Sequence, residues 1–272
     1  MKELLIRTLF GAIYAGVVIG SILLDSMIFG MVFMIVTALA VKEYHTLVQS
    51  SIKQMAYAMA ASVLLFAFVF FSYTAVNWSY HILFGYVVVL IISMLHEIFQ
   101  PNNQTIAHWG HLCGSQLMIA LPFSLMTTIL MHDRFLLLAL FILVWVNDSG
   151  AYLLGSFTAH TKRGNHKMCP AISPKKSWEG LIGGIILSIA AACVFHIVGW
   201  TSSITLTVYP WLNSILLALV VSIFSTLGDL MESQMKRTLG VKDSGKFMPG
   251  HGGVLDRFDS LLLVTPIVYF LF

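Results

Sequence analysis

Polar residues are scarce in this chain, and most of those able to do chemistry fall in a few short segments. In Gly228–Arg237 the residues Asp229, Glu232, Ser233 and Lys236 recur at helical spacing and share one face. Asp229 ends an apolar run, where a carboxylate is costly unless it is paired or metal-bound. That leaves two readings: a functional acid, or a helix end with local ion pairs. Val241–Gly253 follows, rich in glycine and cations. Glycines let backbone N–H groups approach a phosphate, and lysines add countercharge. The GxxxxGK[ST] pattern is absent, and a plain membrane loop would share this composition. Asp256 and Asp259 then stand i,i+3 at the start of the last apolar run. They are either ordinary helix-start acids or partners of Asp229 around a hard, oxygen-ligated cation such as Mg2+.

Two upstream segments have the same character. Asn147-Asp148-Ser149-Gly150-Ala151-Tyr152 interrupts an apolar run with an amide and a carboxylate, and an intramembrane acid is a functional hypothesis by default. Ser173-Pro174-Lys175-Lys176-Ser177-Trp178-Glu179-Gly180 sets two lysines at an interfacial helix start, which suits a phosphate or an anionic head group. Trp178 beside them reads equally as an interface anchor. The histidines form no HxxxH or HExxH pattern, and only His251 sits inside the glycine cluster. Cys113, Cys169 and Cys193 form no CxxC pair, so neither a disulfide framework nor a zinc site is expected.

The elements that must position these residues are membrane spans. The chain has 272 residues, 58% hydrophobic and 10% charged, with a mean hydropathy of +0.87. An ordinary soluble domain is about 25% charged. The composition excludes a soluble globular enzyme, a disordered chain and a nucleic-acid module. Continuous rather than alternating apolar runs argue against a β-barrel. The expected fold is an all-α polytopic membrane helical bundle, with spans near 8–24, 27–41, 54–73, 80–95, 109–131, 135–155, 181–200, 211–230 and 256–272. The first stretch lacks a small-residue cleavage site and reads as a span. Residues 1–131 are expected to supply N-terminal transmembrane helices and 132–272 a C-terminal catalytic region.

With nine crossings, the segments on the N-terminal side hold fourteen of the fifteen lysines and arginines, and the other side holds only Arg134. The positive-inside rule then predicts a cytoplasmic N-terminus. The same rule alone would account for the basic loops.

The polar segments carry a further signal. Ser233-x-x-Lys236-Arg237-x-x-x-x-Lys242-Asp243-x-x-x-x-x-Pro249-x-His251-Gly252-Gly253-x-x-Asp256-Arg257-x-Asp259 closely resembles the signature of the phosphatidate cytidylyltransferases, also called CDP-diacylglycerol synthases. Segments 147–152 and 173–180 look like the same family, while the N-terminal 130 residues resemble it only in hydropathy. Segment 156–167 is longer and less glycine-rich than the short turn usual there.

The resemblance implies a Mg2+-dependent integral membrane enzyme of phospholipid biosynthesis, often a homodimer. It would convert CTP and phosphatidate to CDP-diacylglycerol and pyrophosphate, with a monovalent ion such as K+ at a neighbouring site. By that likeness Asp229 and Asp256 are the expected metal ligands, with Lys236 and Arg237 beside them as catalytic residues. Asp148, Lys175, Lys176, Ser177, Ser233, Lys242, His251, Gly252, Gly253, Arg257 and Asp259 are the expected substrate-binding residues. The expected setting is a bacterial cytoplasmic membrane with the active site on the cytoplasmic side. A secondary transporter would use Asp148 and Asp229 as coupling-ion ligands, but no inverted repeat is visible. A CTP-dependent lipid kinase is the alternative within enzymes. The DGxxAR…GxxxDxxxD pattern of the CDP-alcohol phosphotransferases is absent.

Overall fold

The structure, a computed structural model, describes residues 2–99, 104–160, 164–245, 247 and 252–271, with side chains from Thr8 onward except that of Val76. Its helices are α1 (Lys2–Leu24), α2 (Ser26–Leu47), α3 (Ile52–Thr74), α4 (Val76–Ile98), α5 (Thr105–Ser115), α6 (Leu121–His132), α7 (Arg134–Ala159), α8 (Trp178–Ile197), α9 (Pro210–Thr238) and α10 (Leu255–Tyr269). A π-helical turn, Gln116–Ala120, joins α5 to α6, so Thr105–His132 runs as one rod. Among the described residues, seven helices are long and apolar enough to cross a membrane. The fold is all-α and polytopic, as expected from the apolar runs.

Local chemistry sets the helix starts. Asp25, the one residue between α1 and α2, caps α2 by accepting from the Met27 N–H at 2.7 Å. Ser51 and Gln54 form a reciprocal capping box on α3. Asp133 caps α7 and Ser177 caps α8, while Pro210 supplies the preset φ of a first helical turn to α9. Helix α2 runs well past the expected end at 41. One face of its polar end is packed: His45 is buried, with its ring nitrogens 2.8 Å from Ser50 Oγ and 3.1 Å from Ser115 Oγ.

The chain divides into two compact units, Met1–His132 with Asp243–Phe258, and Asp133–Lys242 with Asp259–Phe272. In the first, an aromatic cluster receives Phe258. Its ring lies edge-on to Tyr14, Phe33 and Phe123, with centroids 5.6, 5.8 and 5.1 Å away. Lipid is as apolar as these rings, so close dispersion contact rather than escape from water favours the packing. Tyr14 adds a hydrogen bond from its hydroxyl to the Arg257 carbonyl at 3.2 Å.

In the second unit glycines bring α7 and α8 together. A methyl group on Gly150 would lie 2.6 Å from the Gly183 carbonyl oxygen, so only glycine allows this approach. Between these helices stands an antiparallel hairpin, β1 (Lys167–Cys169) and β2 (Ser173–Ser177), with Lys167 opposite Ser177.

Candidate functional site

The second unit holds a cleft of about 220 Å³. Helix α7 contributes Asn147, Asp148, Ala151 and Tyr152. The hairpin brings Met168, Lys175 and Lys176, the start of α8 brings Ser177, Gly180 and Leu181, and α9 brings Thr226 and Asp229. Five of the expected site residues, Asp148, Lys175, Lys176, Ser177 and Asp229, therefore line one cavity.

Its electrostatic centre is the pair of Lys176 and Asp229. Lys176 Nζ lies 2.8 Å from Asp229 Oδ2 and donates to the Thr226 carbonyl at 3.1 Å. Both side chains are only partly exposed, so the pair is less screened than a surface bridge. The other oxygen of Asp229 accepts from Ser233 Oγ at 3.1 Å, which gives Ser233 a place in the site through Asp229. Asp259 is held near by a glycine: a methyl on Gly228 would lie 2.8 Å from the Asp259 carbonyl. The charges of Asp229, Asp148 and Lys176 all act on the Asp259 carboxylate.

Ser177 does two things at once. Its hydroxyl oxygen accepts from the Gly180 N–H at 3.1 Å, capping α8, and its side chain lines the cleft. The hairpin is pinned to the same helix start. Glu179 accepts from the backbone N–H of His166 and lies 2.6 Å from its Nδ1, and the Trp178 N–H donates to the His166 carbonyl at 3.0 Å. Asn147 is buried, bonded to Ser225 Oγ at 3.4 Å, and among the described residues its Oδ1 finds no partner.

The remaining expected residues are placed differently. Lys236 does not line the cleft; it is buried and paired with Glu232 one turn away. Arg237 reaches the Ile172 and Val241 carbonyls at 3.3 and 2.9 Å, tying the hairpin turn to the chain after α9. Lys242 is exposed. Gly252, Gly253, Asp256 and Arg257 belong to the first unit. There Asp256 Oδ2 accepts from the N–H groups of Ser244 and Gly253, both at 2.8 Å, and from Ser244 Oγ at 3.0 Å. Gly252 has φ of +85°, a left-handed conformation that favours glycine. Among the described residues the buried Nε of Arg257 has no partner. His251 lies outside the described residues.

Two features were missed in the sequence. Thr226 contributes through its carbonyl, which no residue-type argument can detect. Glu43, on α2, accepts from Ser244 Oγ at 3.2 Å and from the Leu255 N–H at 3.0 Å; a lone acid at a helix end gave no signal.

The acids around the cleft offer only oxygen donors, the chemistry that hard divalent cations take. Asp229 and Asp148 both act on Asp259, and like charges held together favour a bound cation. Among the described residues no three His, Cys, Asp or Glu side chains form a closed ligand set. The donor chemistry thus fits Mg2+ with further oxygens supplied by phosphate or water.

The phosphatidate cytidylyltransferase of Bacillus subtilis is 36% identical over 185 residues, 67% of this chain and 65% of the relative. That of Staphylococcus epidermidis is 45% identical over 135 residues, 50% of this chain and 47% of the relative. That of Haemophilus influenzae is 45% identical over 142 residues, 52% of this chain and 47% of the relative. The chain spans between about half and two thirds of the length of these curated relatives. A sequence profile of the cytidylyltransferase family matches residues 5–272, and the chain belongs to that family.

Proposed function

We propose that this integral membrane protein transfers CMP from CTP to phosphatidate, giving CDP-diacylglycerol and pyrophosphate. One observation carries the reading: in a chain of this family, Lys175, Lys176, Asp148 and Asp229 line a single cleft. Anionic substrates need countercharge, and the acids among the lysines give a cation its oxygen donors.

A phosphate oxygen of phosphatidate attacks the α-phosphorus of CTP. A new P–O bond forms, the bond from the α-phosphorus to the α,β-bridging oxygen breaks, and pyrophosphate leaves with that electron pair. The nucleophile is already an anion, so the protein's part is positioning and charge neutralisation rather than proton removal. Lys175 and Lys176 bind phosphate oxygens, and Asp229 with the Thr226 carbonyl holds the Lys176 ammonium in place. Arg257, whose Nε lacks a partner among the described residues, donates to a phosphate. Mg2+, on Asp229 and Asp256 by the family resemblance, would supply further neutralisation of phosphate charge. A monovalent ion such as K+ beside it and a homodimer complete the reading.

Two acyl chains keep phosphatidate in the leaflet, so the site belongs at head-group level. The lysine and arginine asymmetry supports the cytoplasmic face, and the bacterial relatives support a bacterial inner membrane as its setting.

The test is purified protein with labelled CTP and detergent-dispersed phosphatidate, with and without Mg2+, and chromatography of the lipid products. A cytidine-bearing lipid that forms only with Mg2+ supports the reading. A phosphorylated lipid with release of CDP, or no lipid product, overturns it.

A further inference from the structure

Between α9 and α10 the described residues 244–245 and 253–255 form a neck that is bridged by an acid from far earlier in the chain. Glu43 Oε2 accepts from Ser244 Oγ at 3.2 Å on one side of the neck and from the Leu255 N–H at 3.0 Å on the other. The two sides nearly touch: a methyl on Gly245 would lie 3.3 Å from the Gly253 Cα and 2.6 Å from Glu43 Oε1. A methyl on Gly253 would likewise collide with the Glu43 carboxylate, with Ser244 Oγ and with the Gly245 N–H nitrogen. The backbone on the facing side leaves little room for a side chain at Gly253, and the Glu43 carboxylate fills the space beside both glycines. Glu43 itself is fixed by α2, whose end is locked through His45 to Ser50 and Ser115.

Ser244 is buried and shared. Its hydroxyl lies within hydrogen-bond reach of Glu43 Oε2 and of Asp256 Oδ2, at 3.2 and 3.0 Å. A hydroxyl has one proton, so it serves one carboxylate at a time. The Leu255 N–H stays on Glu43 whichever way that proton points.

We propose that Glu43 is a positioning residue for the transfer reaction: it staples residues 244–245 to residues 253–255 and so fixes the helix start that carries Asp256 and Arg257. When Asp256 turns toward a cation or a phosphate, the Ser244 hydroxyl passes to Glu43 and the neck stays shut. The catalytic consequence rests on the proposed function; the staple itself does not.

The test uses the full-length protein in detergent, as Glu43→Ala and Glu43→Gln, with two readouts. Hydrogen exchange is followed in peptides covering 243–257 and, as controls, in α3 and α6. Kinetics with CTP separate kcat from KM. In Glu43→Ala the loop amides are expected to exchange about tenfold faster or more, from the loss of two hydrogen bonds, with the controls unchanged and kcat reduced about tenfold. Glu43→Gln keeps an acceptor oxygen and is expected to restore most of the protection and of kcat. Unchanged loop exchange in Glu43→Ala overturns the proposal, as does equal loosening of loop and controls, which would mark a general packing role. Loosening of the loop with kcat intact refutes the catalytic part. If the wild type makes no CDP-diacylglycerol, the proposed reaction fails while the exchange data still decide the staple.

Discussion

Asp229 has two oxygens with two different duties. Oδ2 holds the Lys176 ammonium and Oδ1 accepts from Ser233. Asp229→Asn keeps the shape and removes the charge that faces the Lys176 ammonium, which still donates to the Thr226 carbonyl at 3.1 Å. Turnover is expected to fall about a hundredfold or more, the loss usual for a group that stabilises transition-state charge, in protein that elutes and unfolds like wild type. Asp256→Asn is expected to do the same. Wild-type turnover in either would remove that residue from the proposed metal site. Lys176→Arg is not a conservative change here, because a planar fork cannot repeat the two contacts of a compact ammonium; an activity loss nearly as large as that of Lys176→Ala is expected in the same assay.

At this scale the sequence was legible where charge is conspicuous. Asp148, Lys175, Lys176 and Asp229 stand out because acids and clustered lysines are expensive beside apolar runs. Backbone contributions such as the Thr226 carbonyl have no residue-type signature. Glu43 reads as an ordinary snorkelling end until its partners, 201 and 212 residues away, are in place.

Among the elements, the joint between α7 and α8 does most to shape the cleft, since both helices line it. Gly150 faces the Gly183 carbonyl, and a methyl on Gly183 would in turn lie 2.7 Å from the Gly150 carbonyl. Backbone cannot yield as a flexible side chain can, so Gly150→Ala must push the helices apart. Overpacking of this kind costs about 1–3 kcal/mol. The expected outcome is a lower midpoint of thermal unfolding in detergent and a raised KM for CTP, because the cleft walls separate. Gly16, with open space around it, is the control: Gly16→Ala is expected to leave both measurements unchanged. The helices were readable from hydropathy because each span needs its own apolar run. The hairpin was not: Lys167–Cys169 and Ser173–Ser177 are short, carry lysines and a proline, and show no alternation, so nothing in their pattern separates them from a basic loop. The length of α2 was missed for a related reason. Its last turn is polar by composition yet packed through His45, and hydropathy records the first property only.

For the whole molecule, the distribution of charge makes the sharpest statement. Fourteen of fifteen basic residues fall on one side under the nine-span reading. The hairpin loop and the α8–α9 connection are separated by one helix, α8, which is apolar and long enough to cross a membrane. A crossing by α8 would put them in opposite compartments. Lys167 and Thr205 are both exposed and suit a cysteine test once Cys113, Cys169 and Cys193 are replaced. In sealed right-side-out vesicles, a membrane-impermeant thiol reagent is expected to label Thr205→Cys and to spare Lys167→Cys until the vesicles are opened. The physical reason is the cost of moving lysines outward against the membrane potential and away from anionic cytoplasmic lipid. Labelling of both positions from the same side would mean that α8 does not span. Labelling in the reverse sense would keep α8 as a span but turn the cleft away from the cytoplasm, where CTP is found, and so remove the agreement between topology and chemistry on which the proposed reaction depends.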